Sequence, residues 1–277
     1  MRAVKKYALY LLLGFFLLVL ALDVWGYLTL GSLTPGTSPT RDERANAVVM
    51  VFGATGSVGD GLLKAVLEDP DVEKTYVVTR RSSPRIDAAV ASGAAEMILQ
   101  SDFTDYTALA GILGEVNTVL WALGTSSLNV DDQAYTRIHV DFPIAFISQW
   151  LAARRQGPMA FHFVTGMGTD PEGSAHWARE KARTEREMAA LAAGTGLRTF
   201  SYRSGFIRPA SEQANALHYL LETLLRPGKL VISARDLGAA MLEISARTDE
   251  LPNGTLIDNA DSILYAEAYR ESSRAGL

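Results

Sequence analysis

The feature that most constrains this chain is a run of six apolar residues, Ala47-Val48-Val49-Met50-Val51-Phe52, that ends directly in Gly53-Ala54-Thr55-Gly56-Ser57-Val58-Gly59. A continuous apolar, β-branched run is the pattern of a strand buried on both faces of a parallel sheet. Leu62, Leu63, Val66 and Leu67 then recur at helical spacing, so the glycines fall on a strand-to-helix turn. At such a turn Gly53 permits the tight reversal, Gly56 lets backbone approach a pyrophosphate, and Gly59 lets helix and strand pack closely. The N–H groups around Thr55, Ser57 and Val58, at the start of the helix, face the anion. A glycine triplet alone is a weak signal, but one with a strand before it and an amphipathic helix after it reads as a dinucleotide site.

The same alternation continues along the chain. Thr75-Tyr76-Val77-Val78 ends in Thr79-Arg80-Arg81, Met97-Ile98-Leu99-Gln100 in Ser101-Asp102-Phe103, and Thr118-Val119-Leu120-Trp121-Ala122 in Leu123-Gly124-Thr125. Phe161-His162-Phe163-Val164-Thr165 and Thr199-Phe200-Ser201-Tyr202 are further strands. Strand and helix in alternation predict an α/β fold: a Rossmann-type doubly wound parallel sheet with a small C-terminal cap. Its ligand belongs at the carboxyl ends of the strands, where each of these turns falls. Arg80 and Arg81 stand where an NAD enzyme usually carries an acid for the ribose 2′-hydroxyl. Two guanidiniums suit a 2′-phosphate, so NADP(H) is preferred over NAD(H); a solvated pair of loop arginines is the other reading.

The first thirty residues differ from the rest. From Tyr7 to Leu22 there are sixteen residues without a charge, and Ala8 to Leu30 spans twenty-three positions, against about 20 needed to cross a bilayer as a helix. Trp25 and Tyr27 suit the far interface, and Asp23 lies toward that end. Residues 1–30 are therefore read as a single-pass membrane anchor, and 31–45, rich in Ser, Thr, Pro and Gly, as a linker to a domain over 46–277. A cleaved signal peptide, with Val19-Leu20-Ala21 as its site, competes, although the apolar run is longer than the usual h-region. The charges before the helix put the N-terminus inside and the domain outside, whereas supply of the cofactor favours the cytosol. Arg2, Lys5, Lys6 and Asp23 give the leader a net charge of +2, so of the total of −5 a charge of −7 falls on the remainder of the chain. Such a domain is a poor partner for nucleic acid.

Gly-Ala-Thr-Gly-Ser-Val-Gly resembles the glycine loop of the extended and atypical short-chain dehydrogenase/reductases, and the likeness covers most of the chain beyond residue 46. The resemblance implies that Asp102, beside Phe103, touches the adenine and that Ala122-Leu123-Gly124 flanks a cofactor ribose. It implies that Thr165 polarises a substrate carbonyl. Trp177-Ala178-Arg179-Glu180-Lys181 aligns with the family's Tyr-x-x-x-Lys, whose lysine holds the nicotinamide ribose and whose tyrosine moves the substrate proton. Residues four apart share one helix face, which brings Lys181 beside position 177. Here that position is Trp177, whose indole donates one N–H and cannot cycle a proton near neutral pH. His162, His176, Tyr135 and Tyr202 are the alternative acids, and Lys181 has a competing role as a partner of Glu185. Arg203-Ser204-Gly205 resembles the family's Arg-Pro-Gly turn near the substrate, and Arg203 is counted with the cofactor residues.

Leu217, Leu220, Leu221, Leu224 and Leu225 form one helical stripe, read as core, with a second membrane contact or a partner groove as the other reading, and Asp236 is read as the N-cap of a following helix. The chain has no cysteine, and His139, His162, His176 and His218 share no i, i+4 pair, so no metal site is expected. Two functions are consistent with these residues. One is a membrane-anchored NADP(H)-dependent oxidoreductase acting on a small carbonyl or sugar-like substrate. The other is a non-catalytic NADP(H)-binding regulator or assembly factor with a protein partner.

Overall fold

The structure is a computed structural model that describes residues 2–154 and 156–275. The apolar leader forms α1 (Arg2–Thr29). The first half of the domain runs β1 (Val48–Phe52), α2 (Ser57–Glu68), β2 (Lys74–Thr79), α3 (Pro84–Ala91), β3 (Glu96–Leu99), a short α4 (Ala110–Leu113) and β4 (Thr118–Trp121). The second runs α5 (Asp132–Thr136), α6 (Phe142–Ala153), β5 (Met159–Val164), α7 (His176–Ala192), β6 (Leu197–Arg203) and β7 (Phe206–Arg208). It closes with α8 (Ala216–Leu225), β8 (Val231–Ser233), α9 (Ala234–Ala246), β9 (Thr255–Asp258) and α10 (Asn259–Ala275). Among the described residues, seven parallel strands lie in the order β3-β2-β1-β4-β5-β6-β9, and β7 pairs with β8 outside them. The sheet starts at an interior strand, winds to one edge and then to the other. β1 and β4 are neighbours whose connections diverge, which opens the crevice where such sheets bind ligands.

Alternation along the strands builds two cores. Val49 and Val51 face α2, α9 and α10 with Val77, Leu120 and Phe200, while Met50 and Phe52 face the other way with Val78, Trp121 and Phe161. All four of these β1 residues are fully buried, which is why the run had to be apolar throughout. Phe52 stacks on Trp121 with ring centroids 4.3 Å apart.

Leu9–Thr29 of α1 is 21 residues long, apolar enough to cross a membrane, and almost wholly exposed. The segment after it lies along the domain. Ser32 and Leu33 donate their N–H groups to the Asp261 carboxylate at 2.9 Å each, and the Arg41 guanidinium meets the fully buried Glu243 at 2.7 Å. Its Ser, Thr and Pro content reflects irregular backbone whose donors are taken by acids of α9 and α10.

Two expectations change. The leucine stripe of α8 is not core: no residue of that helix is buried, and Leu217 and Leu220 are 60% and 54% exposed. Asp236 is not the N-cap of α9. Ser233 is, accepting from the Asp236 N–H at 3.0 Å and donating to its carboxylate at 2.8 Å, because a hydroxyl does both jobs from one position.

Candidate nucleotide and catalytic site

At the end of β1 the backbone of Gly53 has φ +79°, and a Cβ there would lie 2.4 Å from the Ala122 carbonyl oxygen at the end of β4. Only glycine fits both the left-handed conformation and that approach. At Gly59 a Cβ would fall 2.1 Å from the Gly53 carbonyl oxygen, so the first turn of α2 rests on the loop backbone. Gly56 is the N-cap of α2 and no side chain closes it, which leaves first-turn N–H groups for an anion. The Asp60 carboxylate in that turn is not open to the loop, since the Arg85 guanidinium holds both its oxygens at 3.0 Å.

Three adjoining cavities share Leu123 and Gly124 in their walls. The middle one, about 220 Å³, is lined by Gly53, Thr55, Gly56, Ala122, Arg80 and Arg81. Both arginines are exposed, and among the described residues neither guanidinium has a carboxylate partner. To one side, a cavity of about 620 Å³ is lined by Asp102, Phe103 and Arg80, with Arg137 and Phe142 opposite. The Asp102 carboxyl is held below the usual carboxylate range by the Thr104 hydroxyl and N–H. Phe103 is 3% exposed, its ring edge-on to Phe52 and Tyr106. To the other side, about 300 Å³ is lined by Ser57, Val58, Gly59, Thr165 and Lys181 together with His139. A long anionic ligand with a planar group at each end fits this groove: open helix N–H groups and free guanidiniums along it, and a cavity on either side.

Thr165 and Lys181 meet there because β5 ends where α7 passes. The Lys181 ammonium donates to the Val164 carbonyl at 2.9 Å and lies 5.2 Å from the Phe163 ring. Burial lowers its pKa to about 8. Its competing role is not realised, for Glu185 instead holds Arg203 through both oxygens at 2.6 and 3.2 Å. The Thr165 hydroxyl donates to the Tyr202 carbonyl at 3.0 Å.

Two expected residues are absent from these walls. Arg203 is turned away by its bond to Glu185, and the half-buried Trp177 ring packs on the loop after β5, where a Cβ at Gly168 would touch Cη2 at 3.3 Å. None of the four alternative acids lines the groove either. His162 is enclosed in the core between the Tyr202 hydroxyl and Ser245, 2.7 Å from each, and burial drives its pKa well down and that of Tyr202 well up. The His176 ring is engaged by the Thr136 hydroxyl at 3.0 Å, and burial raises Tyr135 to about 12.

His139 is the residue the sequence reading missed. It sits in one π-helical turn, Arg137–Asp141, and is 3% exposed. Its Nε2 lies 3.2 Å from the Thr125 nitrogen and 2.9 Å from its carbonyl oxygen, while Nδ1 has no partner among the described residues. At Gly124 a Cβ would lie 2.7 Å from the imidazole Cε1, so any larger residue there has to displace the ring. Burial, reinforced by the nearby Lys181 charge, lowers the ring to about 3, so it is neutral at physiological pH. The signal available was its position one turn after Tyr135, on which the ring stacks at 4.1 Å.

No family model matches the sequence. The chain is 23% identical over 210 residues to the leucinostatins biosynthesis cluster protein T of Purpureocillium lilacinum, covering 75% of this chain and 74% of that one. Solved structures resemble it throughout the domain. A 3-oxoacyl-[acyl-carrier protein] reductase from Brucella melitensis superposes with a TM-score of 0.60 at 16% identity, covering 82% of this chain and 98% of that one. An oxidoreductase of the short chain dehydrogenase/reductase family from Burkholderia thailandensis gives 0.56 at 17% identity, covering 86% and 98%. The RhlG/NADP active-site complex of Pseudomonas aeruginosa gives 0.58 at 15% identity, covering 78% and 96%. The chain thus has the Rossmann-type fold of the short-chain dehydrogenase/reductases.

Proposed function

We propose that this chain is a membrane-anchored, NADP(H)-dependent oxidoreductase of the short-chain dehydrogenase/reductase type, acting on a small carbonyl or sugar-like substrate. The observation that supports it most is the convergence of Thr165 and Lys181 on a cavity that also contains the first turn of α2. In this reading the open N–H groups of Ser57 and Val58 hold the pyrophosphate, Arg80 and Arg81 the 2′-phosphate, and Asp102 and Phe103 border the adenine. The bound nicotinamide supplies or takes up hydride. Reduction of a carbonyl also needs a proton on oxygen, and Lys181 is the group in the cavity able to give one. Its ammonium has three N–H bonds and spends one on Val164, and its low pKa lets it release a proton near neutral pH and regain it from water. The Thr165 hydroxyl rotates from the Tyr202 carbonyl toward the substrate oxygen, while His139 keeps Thr125 and the floor beneath Gly124 in place. α1 anchors the enzyme.

A specific observation favours a second reading, a non-catalytic NADP(H)-binding regulator or assembly factor. In the family resemblance Trp177 stands at the tyrosine position, and among the described residues no tyrosine lines the cavity around Thr165 and Lys181. The two readings separate on turnover: NADPH oxidation by the full chain with a panel of ketones, quinones and ketosugars supports the enzyme, while tight binding without turnover supports the regulator.

A further inference from the structure

We propose that α8 is a second membrane contact, lying flat in the headgroup region of the bilayer that α1 crosses. The inference rests on α1 being a membrane anchor, and begins with how the end of that helix is held. Asp23 is 8% exposed and its carboxylate accepts from the Gly228 N–H at 3.0 Å. Gly26 packs so closely that a Cβ would lie 2.3 Å from the Gly228 carbonyl oxygen, and the Lys229 ammonium sits 5.2 Å from the Tyr27 ring centroid. The turn after α8 therefore covers one face of the last two turns of α1, while Val24, Trp25, Tyr27 and Leu28 stay exposed on the other.

The stretch free of charge and clear of the turn after α8, Tyr7 to Leu22, is sixteen residues, or about 24 Å at 1.5 Å per residue. A hydrocarbon core is about 30 Å thick, so the last turns of α1, one face of which carries the turn after α8, lie at its edge. The protein surface fixed to the end of α1 is thereby held at the interface. That surface is α8, and helices lying in the interface sink by about 5 to 10 Å.

The side chains of α8 fit that place and no aqueous one. Its exposed face is Ala216, Leu217, Tyr219, Leu220 and Thr223, without a charge. Its polar groups point into the protein instead: His218 stacks on Phe206, and Glu222 pairs with Arg208 at 2.7 Å. A helix facing water has the opposite arrangement. Exposed aromatic Trp25 and Tyr27 lie at the same end of α1, and Arg226, paired with Glu222 at 2.9 Å yet with its side chain 72% exposed, and Lys229 follow α8, where they suit anionic headgroups. Elsewhere on the domain the large exposed apolar residues, such as Val90, Leu99, Leu128, Leu191 and Leu256, stand singly.

The chain has no cysteine, so single introduced cysteines report position directly. The full chain is reconstituted into vesicles of phosphatidylcholine and phosphatidylglycerol with an environment-sensitive fluorophore on Leu17→Cys, Leu220→Cys or Val90→Cys. Val90 lies on α3, beside the opposite edge of the sheet. Each probe is quenched by iodide in water and by lipids carrying a nitroxide high on the acyl chain. The expected result is lipid quenching of the Leu17 and Leu220 probes, with iodide quenching of both several-fold weaker than at Val90. A Leu220 probe as open to iodide as Val90, with Leu17 still in lipid, overturns the contact and leaves the anchor standing. A Leu220 probe sheltered from both quenchers also overturns it, in favour of a protein partner or a second copy on this face. A Leu17 probe open to iodide removes the anchor itself and this inference with it.

Discussion

Gly59→Ala tests whether the glycine loop is a fitted cradle. A glycine replaced by alanine in an unobstructed helix normally stabilises by about 0.5 to 1 kcal/mol. At Gly59 the added methyl would lie 2.1 Å from the Gly53 carbonyl oxygen and 2.4 Å from its carbon, backbone atoms that no rotamer change can move aside. Ordinary contact needs more than an ångström of displacement, and overpacking of this kind costs about 1 to 3 kcal/mol. Taken at their midpoints, the two terms leave a net loss of roughly 1 kcal/mol. The loop carbonyl that must move belongs to the residue that sets the reversal, so NADPH affinity should fall by about tenfold or more, which corresponds to about 1.4 kcal/mol. Gly111→Ala is the control, because nothing lies within 4 Å of its Cβ position, and it should stabilise by up to about 1 kcal/mol. Urea titrations of the full chain in mild detergent give the stabilities, and a fluorescence titration gives the affinity. Equal stability and affinity for Gly59→Ala and the parent would refute the reasoning.

Replacing Arg80 and Arg81 together by alanine should weaken NADPH by about 1.5 kcal/mol or more, the value of at least one charge-assisted hydrogen bond, and leave NADH nearly unchanged; calorimetry on both nucleotides decides it, and equal losses would withdraw the 2′-phosphate role. If Lys181 is the proton donor, carbonyl reduction should hold below about pH 8 and decline above it, and Lys181→Arg, which cannot release its proton, should lower kcat more than KM. The same lysine affects stability with a definite sign. Its pKa falls from 10.5 to about 8 on folding, so the unfolded chain binds more protons between those values and stability rises with pH across that window. Lys181→Met should remove that slope in denaturant titrations at pH 8 and 10. Trp177→Tyr places a phenol one turn from Lys181 and should raise NADPH-dependent ketone reduction, read as nucleotide oxidation at 340 nm; no gain across the panel would mean that position 177 serves the Gly168 loop alone.

The nucleotide half of the fold is legible because its signals are local. β1 is apolar on both faces and the glycines follow it at once, so Gly53, Gly56 and Gly59 announce a turn whose geometry comes from backbone alone. Arg80, Asp102 and Leu123 follow because each ends a readable strand, and the carboxyl ends of parallel strands share one edge. The rest depends on distant partners. Whether Lys181 pairs with Glu185 or faces a cavity is decided by Arg203 on β6, which takes the carboxylate. His139 reads as one scattered histidine, since nothing local tells that Gly124 leaves room for its ring. The stripe of α8 has the spacing of a core helix, and only the placement of His218 and Glu222 toward Phe206 and Arg208 shows which way the helix is turned. Segment 31–45 has the composition of a free tether because, the Arg41 guanidinium apart, its binding groups are backbone N–H donors, which composition does not record.

The central claim is that the groove along Gly53–Gly59 holds a nicotinamide nucleotide with a 2′-phosphate on Arg80 and Arg81. It is tested most directly by titrating NADPH and NADH separately into the full chain in detergent and following energy transfer from tryptophan to the reduced nicotinamide. The account predicts saturable binding of both, with NADPH tighter by about tenfold or more from the 2′-phosphate contacts. Saturable NADH binding with no advantage for NADPH would contradict the role of the arginines, and no binding of either would contradict the claim as a whole.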